Sequence, residues 1–313
     1  MEYKHLAGTD IKVSRIGFGT WGIGGNPENS LSYGKTDDKE SIRALEYALD
    51  NGINFFDTSP LYGFGHSEEL LGTAFTSKRD KVVFATKVGY KNFNGQIDYS
   101  KKYIIESVED SLRRLKTSYI DIFQLHDVPV SETFMNDELI TTLNNLKKDG
   151  KIRCIGCSIK SPTEEIDFEK VSLSSIQANF NIIDQRAIDT NLLKNCYENK
   201  ISFIARTPLG FGFLTGKYNK TNFDNTDHRN RFSKEQIDLW SKSINLFKKD
   251  KELSNINIAI GFCLSFKEIC TTIPGMISVK EVQENLKSLN INYFNNNILN
   301  EFYNIYKNNK FII

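Results

Sequence analysis

Short apolar, β-rich runs alternate with helix-patterned stretches eight times along this chain, and that alternation leaves few folds open. The strand-like runs are Arg15–Gly19, Asn54–Asp57, Val82–Ala85, Ile120–Leu125, Ile152–Ser158, Ser175–Asn179, Ile201–Ala205 and Cys270–Ile273. Between them apolar residues recur at helical spacing: Ile42, Leu45 and Leu49 after a capping box of Asp37 and Glu40, then Ile105, Val108, Leu112 and Leu115, then Leu139, Leu143 and Leu146. Further helices are expected at Pro162–Phe168, Ala187–Asn199, Ser233–Leu253 and Ile258–Ser265. Strands apolar on both faces and separated by helices belong to a parallel sheet covered on both sides. Eight such units favour closure into a (β/α)8 TIM barrel over an open doubly wound sheet. The open sheet asks for G-x-G-x-x-G between its first strand and a helix. Gly17, Gly19 and Gly22 have that spacing, but no helical pattern opens there.

Residues 3–13, turning at Gly8-Thr9-Asp10, read as an N-terminal β-hairpin. Ile298, Phe302, Ile305 and Tyr306 keep helical spacing in the Asn-rich tail from Asn290, so a docked terminal helix is expected. With no linker and no repeat beyond the βα unit, residues 1–313 are expected to form a single barrel domain.

Lys plus Arg number 40 and Asp plus Glu 39, so no net field favours nucleic acid or an anionic membrane. The first ten residues lack the basic-then-apolar layout of a secretory signal, and no apolar run nears the roughly 20 residues of a membrane span. Five cysteines without framework spacing point to a reducing, cytoplasmic location. Cys154 and Cys157 form a C-x-x-C inside a strand, where residues three apart face opposite ways; they are expected to be structural. No metal site is expected.

Chemistry concentrates at the strand ends. Asp57 ends the second strand, and Tyr62 follows on a loop bracketed by Pro60, Gly63 and Gly65. Lys87 ends the third strand and His126 the fourth. In a barrel the carboxyl ends of all strands meet at one mouth. Each residue alone has a plain explanation: a helix cap, a solvated ammonium, a hydrogen-bonded turn. Together they suit proton donation to a carbonyl oxygen. Lys87 would lower the pKa of the Tyr62 phenol, Asp57 would hold Lys87 charged, and a neutral His126 would donate to the same oxygen. A Schiff-base lyase using the Lys87 amine is the other reading of these residues.

The segment FDTSPLYGFGHSEELLG at 56–72, with Ala85-Thr86-Lys87 and Leu125-His126-Asp127, closely resembles the aldo-keto reductase superfamily. So do GFGTW at 17–21, QANFN at 177–181, PLGFGFLTGK at 208–217 and IPG at 273–275. The resemblance implies a (β/α)8 enzyme that passes hydride from a nicotinamide cofactor to a small aldehyde or ketone, or runs the reverse on an alcohol or sugar. It makes Tyr62 the general acid, with Asp57, Lys87 and His126 as partners, and puts Trp21, Tyr62 and His126 around the substrate. Tyr33, Phe64 and Tyr90 are expected at the pocket mouth, and the insert 211–232 is expected to shape specificity. A non-catalytic, cofactor-binding regulatory subunit is the alternative within the same resemblance.

Cofactor contacts carry over by position. Thr20, Trp21, Asp57 and Gly275 lie in matched segments, and Ser158 and Gln177 would grip the carboxamide. Ile159 stands where the family usually has Asn, and Arg206 where many members stack an aromatic ring on the nicotinamide. Pro208, Leu209, Gly210, Gly212, Leu214, Gly216 and Lys217 would strap over the pyrophosphate; Glu284 and Asn285 would meet the adenine end. NADPH is the family default. Here Ser278 and Glu281 occupy positions where NADPH-preferring members tend to carry cations, so NADH is an open alternative unless Lys280, Arg229 or Arg231 compensates.

Overall fold

The computed structural model describes residues 1–27, 30–127, 129–218, 223, 225–248, 252–291 and 294–311. The strands β1 (Tyr3–His5) and β2 (Lys12–Ser14) pair antiparallel as the expected hairpin. Eight parallel strands follow: β3 (Phe18–Gly19), β4 (Phe55–Asp57), β5 (Val83–Val88), β6 (Ile120–His126), β7 (Ile152–Ser158), β8 (Ser175–Asn179), β9 (Ser202–Arg206) and β10 (Ile269–Ile273). They pair in chain order from β3 to β10. The two ends of the sheet then meet: Gly17 N–H donates to Thr272 O at 2.8 Å, and Thr272 N–H donates to Arg15 O at 3.0 Å. The sheet is therefore a (β/α)8 barrel.

Strand parity organises its interior. Phe55, Val83, Ala85, Ile122, Cys154, Ile204 and Ile273 pack together inside the barrel, while Phe56, Phe84, Phe123, Ile155 and Cys157 join the shell between strands and helices. Period two thus sorts each strand into two faces. Leu6, Ile11 and Val13 of the hairpin join the inner cluster. The hairpin plugs the amino end, which leaves the polar groups for the carboxyl end. All five cysteines are unbridged and buried, and burial pushes the Cys154 thiol up to about 12.

The helices are α1 (Asp38–Asp50), α2 (His66–Phe75), α3 (Lys101–Arg114), α4 (Val130–Thr133), α5 (Asp137–Lys148), α6 (Arg186–Asp189), α7 (Leu192–Glu198), α8 (Lys234–Ser243), α9 (Asn255–Leu264), α10 (Val279–Leu286) and α11 (Asn296–Asn308). Asp37 caps α1 by accepting from Lys39 N and Glu40 N, and α11 buries Phe302 as expected of a docked tail.

Three expectations need correction. Pro162–Phe168 is not a helix but turns and irregular chain. Its groups are engaged elsewhere: Glu164 Oε1 accepts from Val130 N, Ser131 Oγ donates to Glu165 O, and Asp167 N–H donates to Ser131 Oγ. The expected helix Ala187–Asn199 is two short helices, α6 and α7, broken at Thr190–Asn191, where Asn191 adopts a left-handed conformation. The expected helix Ser233–Leu253 ends its α-helical part at Ser243 and continues as a 3-10 turn, Ile244–Phe247; residues 249–251 of it lie outside the described residues, as do 219–222 and 224 of the insert and 292–293 of the tail. Among the described residues no helix is long and apolar enough to cross a membrane.

Candidate active site

Inward parity at the strand ends brings Asp57, Lys87, Gln124, Gln177 and Ser158 together. Lys87, only 1% exposed, donates from Nζ to Asp57 Oδ1 at 2.6 Å, to Thr58 O at 2.8 Å and to Tyr62 Oη at 3.1 Å. The other carboxylate oxygen of Asp57 accepts from Gln124 Nε2 at 3.0 Å and from Gln177 Nε2 at 2.7 Å. Gln124 was missed in the sequence. It stands two residues before His126, so the same parity turns it inward, and that spacing could have found it.

The loop carrying Tyr62 is held against the loop after β3. Gly63 has φ +63°, and a Cβ there would lie 2.1 Å from Gly24 O, so only glycine permits the approach. Trp21 stacks on Tyr62 with ring centroids 5.7 Å apart and planes 9° off parallel. Tyr90 meets His126 edge-on at 5.2 Å, and Tyr99 Oη donates to His126 O at 2.8 Å. Phe64 is exposed and packs on Phe93.

The electrostatics differ from expectation at one point. Burial raises the Tyr62 pKa, and this outweighs the downward pull of Lys87. Charge neighbours are visible in a sequence, whereas loss of solvent is not. Burial also pulls Lys87 down, but Asp57 and Tyr62 overcome it, and the net direction is up. His126 is held well below the usual imidazole range by burial, then by Lys87 and Arg206. Its ring is neutral near pH 7.

Arg206 donates to Asn179 Oδ1 at 2.9 Å, Ser158 Oγ at 3.0 Å and Ile159 O at 2.8 Å, and pairs with Asp127 at 3.4 Å. Ser158 Oγ in turn donates to Gln177 Oε1 at 3.4 Å. Beside this centre runs a cleft whose lining includes Tyr33, Pro208, Leu209, Gly212, Lys217, Gly275, Glu281, Glu284 and Asn285. Gly212, at φ +91°, keeps clear of Tyr218, which a Cβ would approach to 2.9 Å. Asn285 is 2% exposed with no partner for Nδ2, an orphaned donor of the kind a bound ligand satisfies. Lys217 pairs with Glu284 at 2.6 Å.

Other expected contacts do not reach the cleft lining. Thr20 is fully buried, donating to Asp57 O and accepting from Ser67 Oγ. Leu214 belongs to the core, and Ser278 caps α10 by accepting from Glu281 N. Gly210 and Gly216 shape the loop with positive φ. Arg229 lines the cleft, but its guanidinium is engaged by Asp227 at 2.6 Å.

Part of the insert crosses to the loop after β3. His228 N–H donates to Ser32 O at 3.0 Å, and Asn26 Nδ2 donates to Thr226 Oγ1 at 2.6 Å. The His228 ring lies 4.4 Å from Trp21, 4.8 Å from Tyr33 and 5.5 Å from Phe211, with neither ring nitrogen hydrogen-bonded. Burial lowers its pKa to about 3. An unfolded histidine takes up a proton near pH 6.5, so below that pH the unfolded chain binds protons that the folded chain refuses. Stability is expected to fall from pH 6.5 downward, and His228→Phe to flatten that slope. Urea midpoints at pH 7 and pH 5 measure it; equal slopes in both proteins would refute the cage as a source.

Eight parallel strands with a lysine-bound phenol at their carboxyl ends, beside a glycine-lined cleft, define a barrel enzyme with its chemistry at one mouth. The model of the "Aldo/keto reductase family" matches residues 15–304. The chain is 38% identical to "Aldo-keto reductase YhdN" of Bacillus subtilis (strain 168) over 262 residues, covering 80% of this chain and 76% of the relative. It is 32% identical to "NADH-specific methylglyoxal reductase" of Escherichia coli (strain K12), covering 92% and 93%. The structure of the aldo-keto reductase AKR11C1 from Bacillus halodurans superposes with a TM-score of 0.79 at 26% identity, covering 97% of this chain and 96% of that one. The chain belongs to the aldo/keto reductase family. It is an NAD(P)-dependent oxidoreductase.

Proposed function

We propose that this enzyme reduces a small aldehyde or ketone with Tyr62 as the proton donor, and that residues 1–313 act as one barrel domain. Run backwards, the same site would oxidise an alcohol or sugar. The observation that carries the reading is Lys87 Nζ, which bonds the Asp57 carboxylate and the Tyr62 hydroxyl at once. A bound reduced nicotinamide supplies hydride; the side chains manage the proton.

A carbonyl oxygen that is becoming an alkoxide is more basic than a phenolate, so Tyr62 gives up its proton despite its raised pKa. The phenolate that remains stands 3.1 Å from an ammonium that Asp57 keeps charged. In a buried site that attraction is strong. Lys87 thus serves the charge formed after donation rather than ionising the phenol beforehand. Neutral His126 donates a hydrogen bond to the same oxygen, and the Trp21 and Tyr90 rings limit water around it.

The cleft residues Gly212, Lys217, Gly275, Glu284 and Asn285 would hold the dinucleotide, with Asn285 Nδ2 free for the adenine end. Ser158 Oγ and Gln177 Oε1 each keep an acceptor lone pair for the carboxamide. Glu281 lines the cleft, and its carboxylate accepts from Ile277 N at 2.9 Å. That negative charge favours NADH over NADPH, because a 2′-phosphate there meets repulsion. Glu281→Arg is expected to move the preference toward NADPH by about tenfold or more. Fluorescence titration with both dinucleotides, followed by a carbonyl panel under the preferred one, tests the whole reading. An unchanged NADH-to-NADPH ratio would set Glu281 away from the ribose.

A further inference from the structure

We propose that Arg231 is a specificity-determining residue that anchors an anionic group on the substrate, so that the site prefers carbonyl compounds carrying a carboxylate away from the reacting carbon. This rests on the carbonyl-reductase reading and adds the class of substrate.

The placement comes from a run of aromatic contacts. The Arg231 guanidinium lies over Phe232 at 4.7 Å and Phe211 at 5.3 Å. Phe211 meets His228, His228 meets Trp21, and Trp21 stacks on Tyr62. Arg231 also feels the charges of Arg206 and Asp127 and the phenol of Tyr33. It therefore stands at the rim of the mouth that holds Tyr62 and His126.

Among the described residues, the charge balance there leaves it over. Asp127 is matched by Arg206 at 3.4 Å, Asp227 by Arg229 at 2.6 Å and Asp57 by Lys87 at 2.6 Å. His126 and His228 are uncharged near neutrality. Glu281, at the cofactor end of the cleft, is not among the charges that Arg231 feels. Among the described residues the Arg231 guanidinium forms no ion pair and no side-chain hydrogen bond; it lies over two ring faces. A guanidinium resting on aromatic planes keeps its N–H edge free, which suits planar, bidentate contact with a carboxylate. With 40 basic and 39 acidic side chains in all, a cation left unmatched among the described residues of the mouth is a local feature, not a property of the whole surface.

The test compares 4-carboxybenzaldehyde with its neutral ester, methyl 4-formylbenzoate, in the wild type, Arg231→Gln and Arg231→Lys. The wild type is expected to show the higher kcat/KM on the carboxylate, with the ratio falling as salt is added. Arg231→Gln is expected to lower that ratio about ten- to hundredfold, mainly through KM, and to leave the ester and dinucleotide binding unchanged. Arg231→Lys should restore part of the ratio. A ratio unmoved by Arg231→Gln, or equal losses on both aldehydes, overturns the inference while leaving the reductase reading standing. If the wild type reduces neither aldehyde nor any other carbonyl, the reductase reading falls and this inference falls with it.

Discussion

Replacing Tyr62 with Phe is expected to lower kcat for carbonyl reduction about a hundredfold to ten-thousandfold, the range that a positioned general acid supplies. Dinucleotide affinity should stay within about twofold, because the stack of Trp21 on the ring at position 62 needs no hydroxyl. The wild-type pH profile follows from the same group. Burial holds the phenol protonated above its ordinary value of 10.0, so reduction should be level through neutrality and fall only above pH 10. A variant that keeps more than about a tenth of wild-type turnover would shift the donor role to His126. Loss of cofactor binding along with turnover would instead make position 62 part of the binding surface.

Asp57→Ala is expected to damage both turnover and stability. It leaves the Lys87 ammonium buried with only Thr58 O and Tyr62 Oη, and takes the shared acceptor away from Gln124 and Gln177. Breaking a buried pair by removing one partner costs about 3–5 kcal/mol, which corresponds to a melting temperature roughly 10 °C lower in a chain of this size. The pair's folded-state pKa on the lysine side is raised above 10.5. Its contribution is therefore complete below that pH and lost as pH climbs through the folded value. The gap in melting temperature between wild type and Asp57→Ala should be constant from pH 7 to pH 9 and narrow above 10.5. A gap under about 2 °C at neutral pH would mean that Lys87 sheds its proton or finds other partners at little cost.

The barrel was legible because its strands keep period two and its helices period 3.6, and both periods survive in single residues such as Phe55, Val83 and Ile122. Asp57, Lys87 and His126 were legible because polar residues ending apolar strands stand out. Other features depend on contacts far apart in the chain. The segment at 162–168 carries a helical pattern that its bonds to Val130 and Ser131 override. The meeting of Ser32 with His228 has no periodic signature, so neither the aromatic cage nor the position of Arg231 could be read beforehand. Residue type alone suggested an acidified Tyr62, and only the packing around it reverses the direction.

The alternation inside β5 also governs how such an enzyme can change over generations. Val83, Ala85 and Lys87 face the barrel axis while Phe84, Thr86 and Val88 face the helices, and Thr86 already hydrogen-bonds Glu68 on the outer side. Deleting one residue ahead of Lys87 would turn the ammonium outward toward α2 and leave the phenol without it. Insertions and deletions should therefore be purged from the strands of descendants and accumulate in the loops at the mouth, where new substrates can be acquired with the proton chemistry untouched.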